Sequence, residues 1–442
     1  MGLALAYRIS GKGNRVTVFE REKQLGGLAT YHNYGPFFWD RFYHVILPSD
    51  SPLINFLKEI GLGDQLHWSR TLTGFYVDEQ FYSLSTTWEF LRFPLVGLWG
   101  KFRLFLTMLY CSHIRNWQRL EKITVEDWLI KTCGRTTYEK MWRPLLLAKL
   151  GESYRRVSAV FIWTYISRMF SARDSSAQSN EYLGYVSGGY KTVWSRLEKL
   201  IRSAGGEILA GVSVRQIRPR PEGGLWIEHD QQREHFDKVI FTGPVNVLQM
   251  VAAQELLNVA KGGAEVEYLG VICMVLVTRK PLVPYYIVNI ADKRSSFTGI
   301  IGMSNVVALD ETAGLCLTYL PKYVLSTDPL LQQTDDKLRE IFFDGLHLMF
   351  PDFKTEEIVS VHINRATKVQ PLQVLNYSSI APQVVTAHED FFVLNTSQFV
   401  HGTLNNNEVI GAVNAFLKEY GARIERAESS NQQVSPSPAL LA

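Results

Sequence analysis

Glu20, Gly26 and Gly27 are the residues whose types and spacing point most directly to chemistry. Glu20 ends the strand-like run 16–20 (VTVFE), and the glycine pair follows six residues on. A carboxylate at the tip of a parallel strand can accept both hydroxyls of a ribose. Paired glycines let backbone N–H groups approach a pyrophosphate, because no Cβ intervenes. Gly2, in the helical run 1–9 (MGLALAYRI), fits the third glycine of a G-x-G-x-x-G turn, where helix and strand pack closely. Helix, strand and acid make the second half of a dinucleotide-binding βαβ unit, with Arg21 and Leu28 beside it. The pattern leads us to expect a first strand and two leading glycines, roughly 10 residues, ahead of Met1 in a longer protein. A chain truly starting at Met1 would carry a weak or empty nucleotide site.

Other candidates lie further along. His44, in 39–44 (WDRFYH), could handle a proton near neutral pH or pack with Phe42 and Tyr43 as a core histidine. Lys368 could act beside a cofactor or sit solvated on a strand. Asn395 and Ser397 end a late apolar strand and can hydrogen-bond without charge. Asn406 and Asn407 open the last helical run, whose free N–H groups suit a carbonyl or a phosphate; an ordinary polar cap is the alternative. Gly11-Lys12-Gly13 ends a helix rather than following a strand, and reads as a C-cap. The histidines lack metal-ligand spacing, so no metal is expected, and neither a G-x-S-x-G elbow nor a Walker A loop occurs.

Those residues need a scaffold. Hydrophobic residues at 46% and charged residues at 20% fit a folded chain with a large core. Lys+Arg 46 against Asp+Glu 43 leave only +3, no footprint for nucleic acid. Cys111, Cys133, Cys273 and Cys316 lie far apart, as reduced core residues of a reducing compartment do. Strands of nucleotide-binding type recur at 16–20, 238–242 and 391–395, separated by a helical block at 86–173 and a β-rich block at 266–370. The expected fold is α/β, α+β overall. A Rossmann-like nucleotide domain, N-terminally incomplete, is assembled from 1–72, 184–265 and 385–424. A substrate domain of helices and sheet comes from 73–183 and 266–384, and 425–442 forms a flexible tail. Helices are expected at 52–61 (capped by Ser49, Asp50 or Ser51), 190–204, 334–349 and 406–420, β-rich stretches at 268–278 and 300–320, a strand at 357–364, and a hairpin at 74–84 turning on Asp78-Glu79. The most apolar run, 88–111, is interrupted by Arg92, Lys101 and Arg103, so it lacks the ~20 residues of a membrane span. It is expected to be a buried or groove-lining helix pair, or a contact with a lipid surface or a greasy substrate.

In this order the stretches resemble the flavin family of amine oxidases, protoporphyrinogen oxidases and phytoene desaturases. The acid and double glycine of 20–30, the acid and histidine of 39–44, and the helical 142–151 and 157–173 follow its sequence of motifs. So do the glycines of 185–189, the strand 211–217 with Val214 at the adenine position, 236–244 (FDKVIFTGP), 365–371 and 391–417. One departure is Asn395-Thr396-Ser397, where the family usually has Gly-Asp. The resemblance implies FAD, held by Gly2, Glu20, Arg21, Gly26, Gly27, Leu28, Val214, Asn395, Ser397, Asn406 and Asn407. It implies an oxidoreductase taking a hydride or electrons from an apolar or ring-bearing small molecule, cytoplasmic or peripheral at a membrane. Two alternatives stay open: a sugar-nucleotide mutase-like flavoenzyme without net oxidation, and a non-catalytic homologue with an empty FAD site.

Overall fold

The computed structural model describes residues 1–10, 14–171, 181–230, 232–257, 266–292 and 294–424. The C-cap expected at 11–13, the last residues of the helical block and the tail 425–442 lie outside them. Helix α1 (Gly2–Ser10) buries Leu3, Ala4, Leu5 and Ala6 and leads to strand β1 (Thr17–Glu20). The glycine turn passes into the hairpin β2 (Tyr31–Asn33) and β3 (Phe38–Asp40), then helix α2 (Ser51–Glu59). Asp50 precedes α2 without a side-chain cap bond, correcting the expected cap: its carboxylate accepts from Leu47 N and pairs with Arg168 instead. Strand β4 (Leu66–Thr71) precedes the hairpin β5 (Thr73–Val77) and β6 (Gln80–Ser83). Its turn residues Asp78 and Glu79 have φ of 49° and 62°, the left-handed pair of a two-residue type I′ connection.

A helical layer follows: α3 (Thr87–Arg92), α4 (Leu98–His113), α5 (Val125–Cys133), α6 (Arg143–Leu150) and α7 (Ala159–Ser171). Thr86 and Glu89 close a capping box on α3, and Thr124 accepts from Asp127 N at α5, so the starts of both helices are set by local sequence. Strand β7 (Glu181–Val186), helix α8 (Gly189–Ser203) and strand β8 (Glu207–Ala210) return the chain to β1. A meander, β9 (Val214–Pro219), β10 (Leu225–His229) and β11 (Gln232–Phe236), precedes β12 (Val239–Phe241). Four long or buried strands come next: β13 (Tyr268–Thr278), β14 (Ile287–Ile290), β15 (Gly299–Gly302) and β16 (Cys316–Leu325). Helix α9 (Asp335–Met349), strands β17 (Ile358–Pro371) and β18 (Phe391–Val393), and helix α10 (Asn406–Ile424) complete the described fold. The β-rich stretch 300–320 holds β15 and the start of β16 with short 3₁₀ turns between them, and one strand expectation is corrected: β17 outruns 357–364 because it pairs along the whole of β13.

Two parallel pairs carry the nucleotide-type strands: β1 with β8, Glu20 opposite Ala210, and β12 with β18, Val239 opposite Phe391. One core joins α1, α2, α8 and α10 around Leu57, Leu197, Ile201 and Phe392. A seven-stranded sheet, ordered β17-β13-β16-β15-β14-β5-β6, forms a second layer. All eleven residues of β13 are buried. Val271, Cys273 and Val275 pack with Trp39 and Tyr319 on one face, while Ile272, Met274 and Leu276 meet Leu338, Phe342 and Leu346 of α9 on the other. A strand covered on both faces reads as an unbroken apolar run, and YLGVICMVLVT is one. The helical layer has its own core, with Trp128, Leu129, Tyr154 and Val160 nearly inaccessible. The expectation of a buried pair at 88–111 is corrected, since α4 keeps Leu104 and Cys111 inside but turns Trp99, Phe102 and Phe105 to solvent. Among the described residues no helix is long and apolar enough to cross a membrane.

Candidate functional site

A cavity of about 2380 Å³ is lined by α1, β1, the glycine turn, α7, α8, β12, β17 and the start of α10. Pockets for drug-sized ligands run about 300–1,000 Å³, so this one has room for a large cofactor and a second molecule. Its wall carries Gly2, Glu20, Arg21, Gly26, Gly27, Leu28, Val214, Asn395, Asn406 and Asn407, together with His44 and Lys368. Ser397 is the exception among the residues singled out from sequence. It is buried, and its hydroxyl bonds Tyr268 OH at 2.5 Å rather than facing the cavity.

At the glycine turn, Glu20 stands half-buried at the tip of β1, and its Oε1 accepts from Glu22 N at 2.9 Å. Gly26 has φ of 114°, and a Cβ there would lie 2.3 Å from Trp194 Nε1. That indole donates to Ala29 O at 2.7 Å, so it pins the turn as it fills the space beside Gly26. Gly27, with φ of 60°, has nothing within 4 Å of its Cβ direction, leaving the backbone open to the cavity. Gly2 brings α1 against the end of β12: a Cβ would meet Thr242 Oγ1 at 3.3 Å. These are the features a bound dinucleotide needs: an acid for a ribose, an unobstructed glycine backbone and close helix packing.

Next to the Gly2–Thr242 contact, Asn395 ties the ends of β12 and β18 together. Its Nδ2 donates to Gly243 O at 3.0 Å, and its Oδ1 accepts from Ser397 N at 3.0 Å. Asn407 Oδ1 accepts from Leu53 N at 3.1 Å and so joins α10 to α2, while Asn405 Oδ1 caps α10 through Glu408 N at 2.9 Å. The wall here is polar and already cross-linked, which fixes the first turn of α10 toward the cavity.

His44 is half-buried, its ring edge-on to Tyr190 and its Nδ1 3.8 Å from Asp40 Oδ2. Burial pushes its pKa down to about 4 and that of Asp40 up to about 8, where the Tyr190 N–H donates to Oδ1 at 2.8 Å. Both groups are neutral near pH 7. Lys368 is half-buried on β17, and burial lowers its pKa.

Lys149, Tyr165 and Tyr323 form an end of the cavity that sequence reasoning missed. Lys149 Nζ lies 4.5 Å from the ring centre of Tyr323 and 5.0 Å from that of Tyr165. Tyr323 OH in turn bonds Tyr43 OH at 2.7 Å. Burial opposes the charge of Lys149, but the two phenols hold its pKa above the ordinary lysine range. Arg168 of α7 is paired with Asp50 at 3.1 Å and donates to Thr403 Oγ1 at 2.9 Å, whereas Lys149 has no carboxylate within ion-pair distance among the described residues. A signal was available, for Lys149 is the one charge in the apolar run 144–151 (PLLLAKLG).

A family model for flavin-containing amine oxidoreductases matches residues 2–371. Among solved structures, a candidate protoporphyrinogen oxidase from Exiguobacterium sp. 255-15 superposes with a TM-score of 0.74 at 16% identity, covering 96% of each chain. Putrescine oxidase bound to putrescine gives 0.69 at 13% identity over 96% of each chain. Reduced UDP-galactopyranose mutase gives 0.69 at 15% identity, covering 96% of this chain and 95% of that one. No curated protein sequence matches significantly. At these identities the structural likeness establishes the fold.

Proposed function

Because the chain belongs to the flavin-containing amine oxidoreductases, we propose that it is an FAD-dependent oxidoreductase acting on an apolar or ring-bearing substrate. The observation that carries this reading is the single cavity that joins the Glu20–Gly27 turn to the aromatic end around Lys149. Glu20 would hold the adenosine ribose, with Val214 beside the adenine. The backbone at Gly26 and Gly27 would hold the pyrophosphate, and Asn395, Asn406 and Asn407 would line the flavin end. FAD, when bound, supplies the acceptor for a hydride or for two electrons.

The chain's own residues orient the substrate and exclude water. Tyr43, Tyr165, Tyr286 and Tyr323 line the cavity with ring surface. Lys149 places a fixed positive charge among them. Two unit charges ~5 Å apart at an effective dielectric near 20 repel by about 3 kcal/mol. A protonated amine is therefore disfavoured at this end, and a neutral ring system or one bearing an acidic group is preferred.

The test is the visible spectrum of the purified protein after incubation with FAD and gel filtration. Retained flavin absorption supports the reading; a folded, colourless protein that takes up no FAD refutes it. Turnover that requires reductant yet yields no oxidised product would assign the chain to mutase-type chemistry instead.

A further inference from the structure

The outward face of α4 is apolar. Leu98, Trp99, Phe102, Phe105, Leu106 and Tyr110 recur at helical spacing on it, with Leu98 77% and Trp99 70% exposed. Exposed Trp88 and Leu91 add apolar surface on the preceding helix α3. The opposite face carries Leu104, Thr107 and Cys111 into the helical core, and Lys101 is drawn inward, its Nζ donating to Leu91 O at 2.7 Å. The helix is thus apolar on its solvent face as well as on its core face, where an ordinary surface helix is polar outside.

Charge says what fits this face. Residues 86–122 contain six Lys and Arg but two Glu, a formal +4, although the whole chain carries only +3. Of the two acids, Glu121 is buried and bonded to Ser378. Arg92, stacked over Trp88, flanks the apolar face at one end, and exposed Arg115, Arg119 and Lys122 follow its other end. We propose that the α3–α4 face docks in the plane of an anionic phospholipid bilayer, its aromatic rings at headgroup depth and its flanking cations on the phosphates. The sixteen residues of α4 span about 24 Å, less than the ~30 Å hydrocarbon core, so the helix lies on the membrane and does not cross it. Self-association through the same face would bring two +4 stretches together.

The docking face is one helix from the cavity. Trp163 Nε1 of α7 donates to Cys111 O of α4 at 3.0 Å, and Tyr165 and Arg168 of the same α7 line the cavity. Docking does not depend on the flavin assignment and is tested without it. The full chain is sedimented with vesicles of phosphatidylcholine alone and with vesicles also containing phosphatidylserine. We expect salt-sensitive binding to the second kind. The triple variant Trp99→Ser/Phe102→Ser/Phe105→Ser, which alters only exposed side chains, is expected to bind about tenfold more weakly, with an unchanged melting curve. Replacing Arg115, Arg119 and Lys122 by Glu is expected to abolish the preference for phosphatidylserine. Wild-type protein left in the supernatant with both vesicles overturns the proposal, as does a triple variant that binds as well as wild type. A wild-type dimer that the triple variant dissolves, with no vesicle binding, overturns it in favour of self-association.

Discussion

Single residues at the glycine turn and in the Asp40–His44 pair make the sharpest demands. At Gly26 an alanine would face both a left-handed backbone and the Trp194 indole 2.3 Å away. At Gly27 it would face the backbone penalty alone. Gly26→Ala should therefore cost about 1–3 kcal/mol and displace the indole from Ala29 O, whereas Gly27→Ala should cost nearer 1 kcal/mol. Denaturant melts of the two variants, with Trp194 fluorescence as the probe, check the order. The Asp40–His44 pair sets a pH dependence. Asp40 folds with its pKa raised from 3.8 to about 8, so the folded state binds the extra proton and stability falls as pH rises through that window. His44 folds with its pKa lowered from 6.5 to about 4, so its contribution rises with pH over 4 to 6.5. The two cancel below 6.5, and Asp40 alone remains above it, removing about 2 kcal/mol by pH 8. Asp40→Asn keeps an acceptor for Tyr190 N and should flatten that fall. Melting curves of both proteins between pH 6 and 8.5 decide, and parallel curves would refute the assignment.

Elements whose signals are local were legible in the sequence. Helix α1 buries the Leu3–Ala6 stripe its pattern implies, α8 follows its glycines, and the β5–β6 hairpin turns at Asp78-Glu79. That turn is built from two side chains in left-handed backbone, which Asn-Gly tolerates better. Asp78→Asn/Glu79→Gly should raise stability by about 0.5–1 kcal/mol, although it removes the exposed Glu79–Arg294 contact. A Tm below wild type would show that this contact outweighs the backbone strain. What escaped the sequence depends on partners far away in it. The Ser397 hydroxyl is claimed by Tyr268, 129 residues earlier, so a residue that looked free for a cofactor is spent on packing. Lys149 of α6 acquires its surroundings from Tyr165 of α7 and Tyr323 of β16. Hydropathy made α4 look buried because a run of apolar residues does not say which face meets protein.

Across the whole molecule, the cavity gathers segments that adjoin it but are distant in sequence: β1 and its turn, the start of β9, the ends of β12 and β18, and α10. The two parallel strand pairs, β1–β8 and β12–β18, belong to separate sheets, so few backbone bonds hold those segments to each other. A ligand contacting all of them would bind the folded state and have no comparable site in the unfolded chain. Linkage then gives about 2.7 kcal/mol of stabilisation at a free ligand concentration one hundred times Kd. We expect FAD to raise Tm progressively with concentration, and riboflavin, which lacks the adenosine and pyrophosphate, to raise it less. Glu20→Ala should shift the FAD titration to higher concentration while leaving the riboflavin response unchanged, because in the proposed binding mode the carboxylate would contact only the adenosine ribose, which riboflavin lacks. Equal shifts with FAD and riboflavin would place binding away from the Glu20 turn. No shift with either would mean that the gathered wall does not hold the cofactor its residues describe.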